Sequence, residues 1–170
     1  MRRWRTSYLL TGGNLGDRFD NLARARALIE RYVGPVLAAS ALYETEAWGV
    51  EDQPPYLNQA LQVRTKLGPF QLLDRLQRIE GELGRTRPNK WASRTMDIDI
   101  LFYENLVMKT RRLEIPHPRL HRRNFALAPL KEIAPELFHP LLCKTIEELL
   151  AESQDPLEVA RLSPRPLLLP

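Results

Sequence analysis

At 170 residues, 44% hydrophobic and 27% charged, the chain has the make-up of one globular domain, large enough to bury about 70% of its unfolded surface. A net charge of +4 and a pI near 9.5 suit an anionic partner, nucleic acid or a small phosphorylated ligand, unless the basic surface is simply solvated. One cysteine, Cys143, excludes a disulfide framework and fits a reducing compartment. Arg2, Arg3 and Arg5 precede an apolar run, Tyr8–Leu10, that is too short for a signal peptide, and no run approaches the roughly 20 residues of a membrane span. A cytoplasmic protein with no membrane partner is expected.

In chain order, Thr6–Thr11 reads as a first strand, followed by the turn Gly12-Gly13-Asn14-Leu15-Gly16-Asp17. That turn reads as a tight strand-to-helix connection rather than a Walker phosphate loop, since the Gly-Lys-Ser/Thr ending is absent. Asp17 suits the N-cap of a helix with Leu22, Ala25, Ile29 and Tyr32 at helical spacing, and Gly34-Pro35 stops it. Val36–Thr45 reads as a second strand, and a proline-bearing polar loop leads to a third, Tyr56–Thr65. Alternation puts Leu57, Leu61 and Val63 on one face of that strand and Tyr56, Asn58, Ala60 and Gln62 on the other. Tyr56 and Asn58 side by side suit either a flat heterocycle or the edge of a core.

Pro69 at a first helical position opens a second helix with the buried stripe Leu72, Leu76, Ile79 and Leu83, closed by Gly84. Gln77 and Glu80 are neighbours on one flank, which reads as a solvated face unless a ligand lies there. After the next strand, Leu106–Ile115 reads as a hairpin arm, and Arg119, Arg122 and Arg123 form a second cationic segment before the apolar Phe125–Leu130. Thr145–Ala151 reads as a short helix and Pro156–Pro170 as a loosely ordered tail. The order strand–helix–strand, strand–helix–strand implies an α+β, ferredoxin-like antiparallel sheet with helices packed on it, an α/β/α-type sandwich.

The stretch Gly84–Phe102 carries the chemistry. Its first eleven residues, through Arg94, hold four cations (Arg85, Arg87, Lys90, Arg94) and no acid. A strand follows in which Asp97 and Asp99 share a face, with Cα atoms roughly 6.5–7 Å apart, and Met96, Ile98, Ile100 and Phe102 share the other. Two carboxylates on a rigid strand bind Mg²⁺ well when substrate phosphates complete its shell, and the cationic loop would act as a lid that neutralises phosphate charge. Trp91 could seal that lid. One cysteine and scattered histidines do not compose a tetrahedral zinc set. On topology, the face free of helices would present Tyr56, Asn58, Asp97 and Asp99 together.

These residues resemble a known family. Asn14-Leu15-Gly16-Asp17, Tyr56-Leu57-Asn58, Gly84-Arg85-Thr86-Arg87, Trp91, Arg94-Thr95-Met96-Asp97-Ile98-Asp99, Ile115-Pro116-His117-Pro118 and Arg123-Asn124-Phe125 are together similar to the 6-hydroxymethyl-7,8-dihydropterin pyrophosphokinases of folate biosynthesis. The resemblance covers roughly residues 6–140 and implies a single pyrophosphokinase domain over 1–170, with 141–170 a C-terminal helix and tail. It implies transfer of the β,γ-pyrophosphoryl group of ATP to the pterin's hydroxymethyl oxygen, with AMP released. By the same resemblance Asp97 and Asp99 hold two Mg²⁺ ions, and Arg85 and Arg94 stabilise the transferring group. Gln77, Glu80, Arg87, Lys90, Trp91, Arg112, His117 and Arg123 would lie on the ATP side, and Thr45, Tyr56, Asn58 and Phe125 would form the pterin pocket. Small molecules are then the expected partners, with no nucleic acid, and a monomer is expected. Glu46-Ala47 stands where the family has prolines and Lys90 where arginine is common. A single-strand nucleic-acid binder and a metal-dependent nuclease are the rivals from other classes; the first lacks its glycine-aromatic signature, and the second also uses paired acids.

Overall fold

The computed structural model describes residues 3–47, 52–84 and 95–164. The elements run β1 (Arg5–Gly13), α1 (Arg18–Tyr32), β2 (Val36–Ala39), β3 (Tyr43–Thr45), β4 (Tyr56–Thr65), α2 (Pro69–Glu82) and β5 (Asp97–Tyr103). A hairpin of β6 (Met108–Lys109) and β7 (Glu114–Ile115) precedes α3 (Asn124–Ile133), and a second hairpin, β8 (Phe138–His139) and β9 (Lys144–Thr145), leads into α4 (Ile146–Ala151) and β10 (Val159–Arg161). The main sheet has the order β10-β3-β4-β1-β5, with β2 also on β4, and its pairs are antiparallel. This is the α+β order expected of two strand–helix–strand units side by side.

Local signals explain the helices. Asp17 caps α1 by accepting the N–H of Asp20 at 3.0 Å, Pro69 opens α2, and Thr145 and Glu148 cap α4 reciprocally. Leu22, Ala25 and Ile29 of α1 and Leu72, Leu76 and Ile79 of α2 are buried against Leu9, Leu57, Leu61, Val63, Ile98 and Ile100 of the sheet. A separate cluster forms on the opposite face, where Ala126, Leu127 and Leu130 of α3 and Ile146 and Leu149 of α4 meet Leu10, Ala60, Leu101 and Phe102. The sheet therefore lies between two helical layers. The second face is not free along its length, as topology suggested; it is open only toward the ends of β4 and β5 that carry Asn58 and Asp97.

Several local expectations change. β1 continues through Gly12 and Gly13, which pair with Asn58 and Leu57 instead of turning. Val36–Thr45 is two strands, because the ladder slips between Val36 and Ala38 and the Ser40 hydroxyl takes the Ala60 N–H at 3.0 Å. Phe102 does not share a face with Ile98 and Ile100. The register shifts between Tyr8 and Leu9, so Leu101 is an extra residue, and Leu101 and Phe102 both join the second core. The chain after α4 is ordered through β10, which adds a strand to the sheet edge.

Candidate active site

The central strand β1 sets the register of the site. Gly12 lies opposite Asn58 of β4 and opposite Asp97 of β5, while Leu10 lies opposite Ala60 and Asp99. Directly opposed residues share a face, so Asn58, Gly12 and Asp97 form one row across three strands. On the far side of β4, Tyr43 faces Asn58 and Thr45 faces Tyr56. The middle of the row must be glycine, since a Cβ on Gly12 would lie 2.0 Å from Asn58 Oδ1 and 3.2 Å from the Leu57 carbonyl oxygen. In Gly12→Ala the Asn58 amide is pushed off its seat, and KM for the molecule held there rises about tenfold or more, checked by steady-state kinetics with melting temperature as the control for fold.

A cavity of about 910 Å³ stands over this row. Thr45, Tyr56, Asn58, Asp97 and Asp99 line it from the sheet, and Arg119, Arg122, Arg123, His121 and Phe125 from the segment that enters α3. The Arg123 guanidinium carbon lies 5.5 Å from the centre of the Phe125 ring. The site thus has carboxylates on its floor and guanidinium groups on one wall, an arrangement suited to a polyphosphate with its cation. Thr45, a lining residue, has its Oγ1 buried with no hydrogen-bond partner.

Asp97 and Asp99 are half-buried, and among the described residues no third Asp, Glu, His or Cys joins them in a metal-holding group. Two hard oxygen donors are too few for a protein-only calcium cage. They fit Mg²⁺, which keeps waters and takes substrate phosphate oxygens into its octahedron.

Four residues expected on the ATP side do not line this cavity: Gln77, Glu80, Arg112 and His117. Gln77 is exposed on α2, and Arg112 pairs with Asp74 at 2.6 Å. Glu80 is only 4% exposed, and its Oε1 accepts the N–H of Ile98, the residue between the two aspartates, at 2.8 Å. Of the two neighbours on that flank, Gln77 faces solvent and Glu80 does not. Arg85, Arg87, Lys90, Trp91 and Arg94 lie outside the described residues.

His117 sits behind the arginine wall. Its backbone N–H donates to the Leu101 carbonyl at 3.0 Å, and its Nδ1 accepts the Arg119 N–H at 3.2 Å. Burial, then the charges of Arg123 and Arg119, push its pKa down to about 4, so at neutral pH the ring is uncharged with its proton on Nε2. The unfolded chain takes up this proton near pH 6.5 and the folded chain only near 4, so the stabilisation is complete above 6.5 and is lost as pH falls toward 4. Urea melts at pH 7 and pH 4.5 should show the wild type losing roughly 2 kcal/mol more than His117→Gln, in which an amide oxygen can still accept from Arg119.

Gly12 and Gln53, with Arg119, Arg122 and His121, belong to the cavity although they were not singled out as binding residues. The cationic run 119–123 was a visible signal for three of them. Residues 152–157 also line the cavity, and only their distance in space from the aspartates, invisible in the chain, could have revealed it.

Comparison with known proteins bears on what this cavity does. The model of the 7,8-dihydro-6-hydroxymethylpterin-pyrophosphokinase (HPPK) family matches residues 8–135. A 2-amino-4-hydroxy-6-hydroxymethyldihydropteridine pyrophosphokinase of Bacillus subtilis is 44% identical over 132 residues, covering 77% of this chain and 79% of that one. The protein of the same name from Aquifex aeolicus is 39% identical over 148 residues, covering 87% and 92%. Among solved structures, wild-type Plasmodium falciparum HPPK-DHPS with pteroate superposes with a TM-score of 0.73 at 17% identity. That match covers 89% of this chain, which spans only 43% of the longer one, and it speaks to the fold alone.

Proposed function

The chain belongs to the 7,8-dihydro-6-hydroxymethylpterin-pyrophosphokinase family, and on that premise we propose which of its residues carry the reaction. It is an enzyme of folate biosynthesis, an ATP-using transferase that moves pyrophosphate to the hydroxymethyl group of 6-hydroxymethyl-7,8-dihydropterin and leaves AMP. The observation that carries the assignment is the row Asn58–Gly12–Asp97. It sets a buried amide beside a carboxylate pair on one floor, so an acceptor held by the first presents its hydroxyl toward phosphate held at the second.

Asp97 and Asp99 would hold two Mg²⁺ ions together with oxygens of the triphosphate. Bound there, the metal supplies charge neutralisation on the transferring group and its leaving oxygen. The protein's own part is positioning. Thr45, Tyr56 and Asn58 receive the pterin from the sheet side, with Thr45 Oγ1 as an unfilled partner, and Phe125 closes on the ring. Arg123, beside Arg119 and Arg122, faces phosphate from the wall. Arg85 and Arg94 would stabilise charge on the transferring group, with Arg87, Lys90 and Trp91 on the nucleotide side. Gln77, Arg112 and His117 would be outer nucleotide contacts. Glu80 takes a different task from the ATP contact expected of it, bracing the strand that carries the aspartates. The acceptor hydroxyl is the nucleophile, and its oxygen forms the new bond to the β-phosphorus as the bond to AMP breaks.

We place the enzyme in the cytoplasm as a monomer. The one cysteine, Cys143, is a free exposed thiol, the state a reducing compartment would keep it in. The deciding assay mixes protein, Mg²⁺, ATP and 6-hydroxymethyl-7,8-dihydropterin and follows AMP. AMP is expected only when both metal and pterin are present; AMP or phosphate released at the same rate without pterin would overturn the reading.

A further inference from the structure

The segment that follows α4 has no part in the match to the family model, which ends at residue 135. Its geometry ties it to the site. The Asp155 carboxylate accepts the Asn124 N–H on Oδ2 at 2.8 Å and the Leu157 N–H on Oδ1 at 3.1 Å, and the Asp155 carbonyl accepts from Asn124 Nδ2 at 3.4 Å. Asn124 is the first residue of α3, whose own N-cap, Arg123, makes no side-chain capping bond. Asp155 therefore caps α3 from 31 residues away. The carboxylate also places negative charge at the positive end of the helix.

The other end of the segment is fastened as well. β10 pairs with β3, Val159 opposite Thr45 and Arg161 opposite Tyr43. Arg161 Nη2 donates to Glu132 Oε1 at 3.2 Å, and Glu132, in the last turn of α3, also accepts the Tyr43 hydroxyl at 2.6 Å. The strap is thus held at both ends of α3 and along the sheet edge beside Thr45. Between these ties, residues 152–157 line the same cavity as Thr45, Asn58 and Phe125. A tail that merely covered an edge strand would need β10 alone. The turn at Asp155, bonded to the residue next to Phe125, has no such purpose.

We propose that residues 152–157 form a wall of the acceptor pocket. Asp155 is the positioning residue that holds the first turn of α3, and with it Phe125, against the bound heterocycle. This rests on the reading of Thr45, Tyr56, Asn58 and Phe125 as the pterin pocket. The strap then acts more on affinity for the acceptor than on affinity for ATP, whose contact Arg123 adjoins the same helix start.

The test uses Asp155→Ala and Asp155→Asn in the full chain, with kcat and both KM values measured and acceptor binding followed by pterin fluorescence in the presence of a non-hydrolysable ATP analogue. KM for the acceptor should rise about tenfold in Asp155→Ala and less in Asp155→Asn, which keeps one carbonyl oxygen, while kcat and KM for ATP stay within about twofold. An unchanged acceptor KM, or an equal rise in both KM values, overturns the proposal, the second outcome marking general loosening. Should Asp155→Ala fail to give a cooperative melt, Asp155→Asn decides by the same criteria. Phe125→Ala separates the two levels: if it leaves acceptor KM unchanged, the pocket reading itself has failed, whereas a normal Phe125 effect with a silent Asp155 removes only the strap.

Discussion

Asp97→Ala and Asp99→Ala should each lower turnover by roughly 10³-fold, about 4 kcal/mol of transition-state stabilisation, while the fold is kept. The two side chains are half-buried on the cavity face, whereas Met96, Ile98 and Ile100 supply the packing on the other. Alternation along β5 therefore separates the strand's chemical work from its structural work. Among the described residues no third acid completes a metal-holding group with them. Loss of one should show chiefly in kcat, because charge on the transferring group is greatest in the transition state. Steady-state kinetics with thermal melts check this. A variant with near-normal turnover, or one whose inactivity tracks lost folding, would contradict the assignment.

Glu80→Ala should be the second most damaging change, through a different route. β5 is the outer strand on its side of the sheet, with β1 as its sheet neighbour. Where a further strand would supply an acceptor, α2 supplies Glu80, whose Oε1 takes the Ile98 N–H at 2.8 Å in a buried setting. Removing the carboxylate strands a buried N–H and opens a small void, at a cost of roughly 2–4 kcal/mol of stability. Because Ile98 lies between Asp97 and Asp99, the same change frees the backbone that spaces the two carboxylates. Half-saturation by Mg²⁺ should shift to concentrations about tenfold higher, and Glu80→Gln, which retains an acceptor oxygen, should lie between. Lower melting temperature with an unaltered Mg²⁺ dependence would reduce Glu80 to a purely structural residue.

Alternation and capping made much of this legible in the chain. Tyr56–Thr65 is β4 to the residue, and its two faces are those that the Leu57, Leu61 and Val63 pattern implied. Asp17 and Pro69 marked helix starts because their chemistry is local. What escaped was non-local. The Leu101 bulge turns Phe102 to the second core, and nothing in Ile100-Leu101-Phe102 distinguishes that from unbroken alternation. Ser40 splits the second strand by taking a hydrogen bond from Ala60, a partner 20 residues away. Glu80 looked like a surface residue because its spacing from Gln77 says nothing of the strand end it meets. Gly12 looked like a turn glycine, yet its need for no side chain comes from Asn58 across the ladder. The tail carries prolines and acids that suit loose structure, and its order comes from bonds to Asn124 and Glu132.

The central claim is that the carboxylate pair on β5 brings metal to nucleotide beside the pterin pocket. Mn²⁺, whose free and bound forms differ in electron paramagnetic resonance, can be titrated into protein carrying a non-hydrolysable ATP analogue and 6-hydroxymethyl-7,8-dihydropterin. About two ions per chain should bind to the wild type, with at least one lost in Asp97→Ala and in Asp99→Ala. Equal Mn²⁺ stoichiometry and affinity in the wild type and both variants would contradict the account.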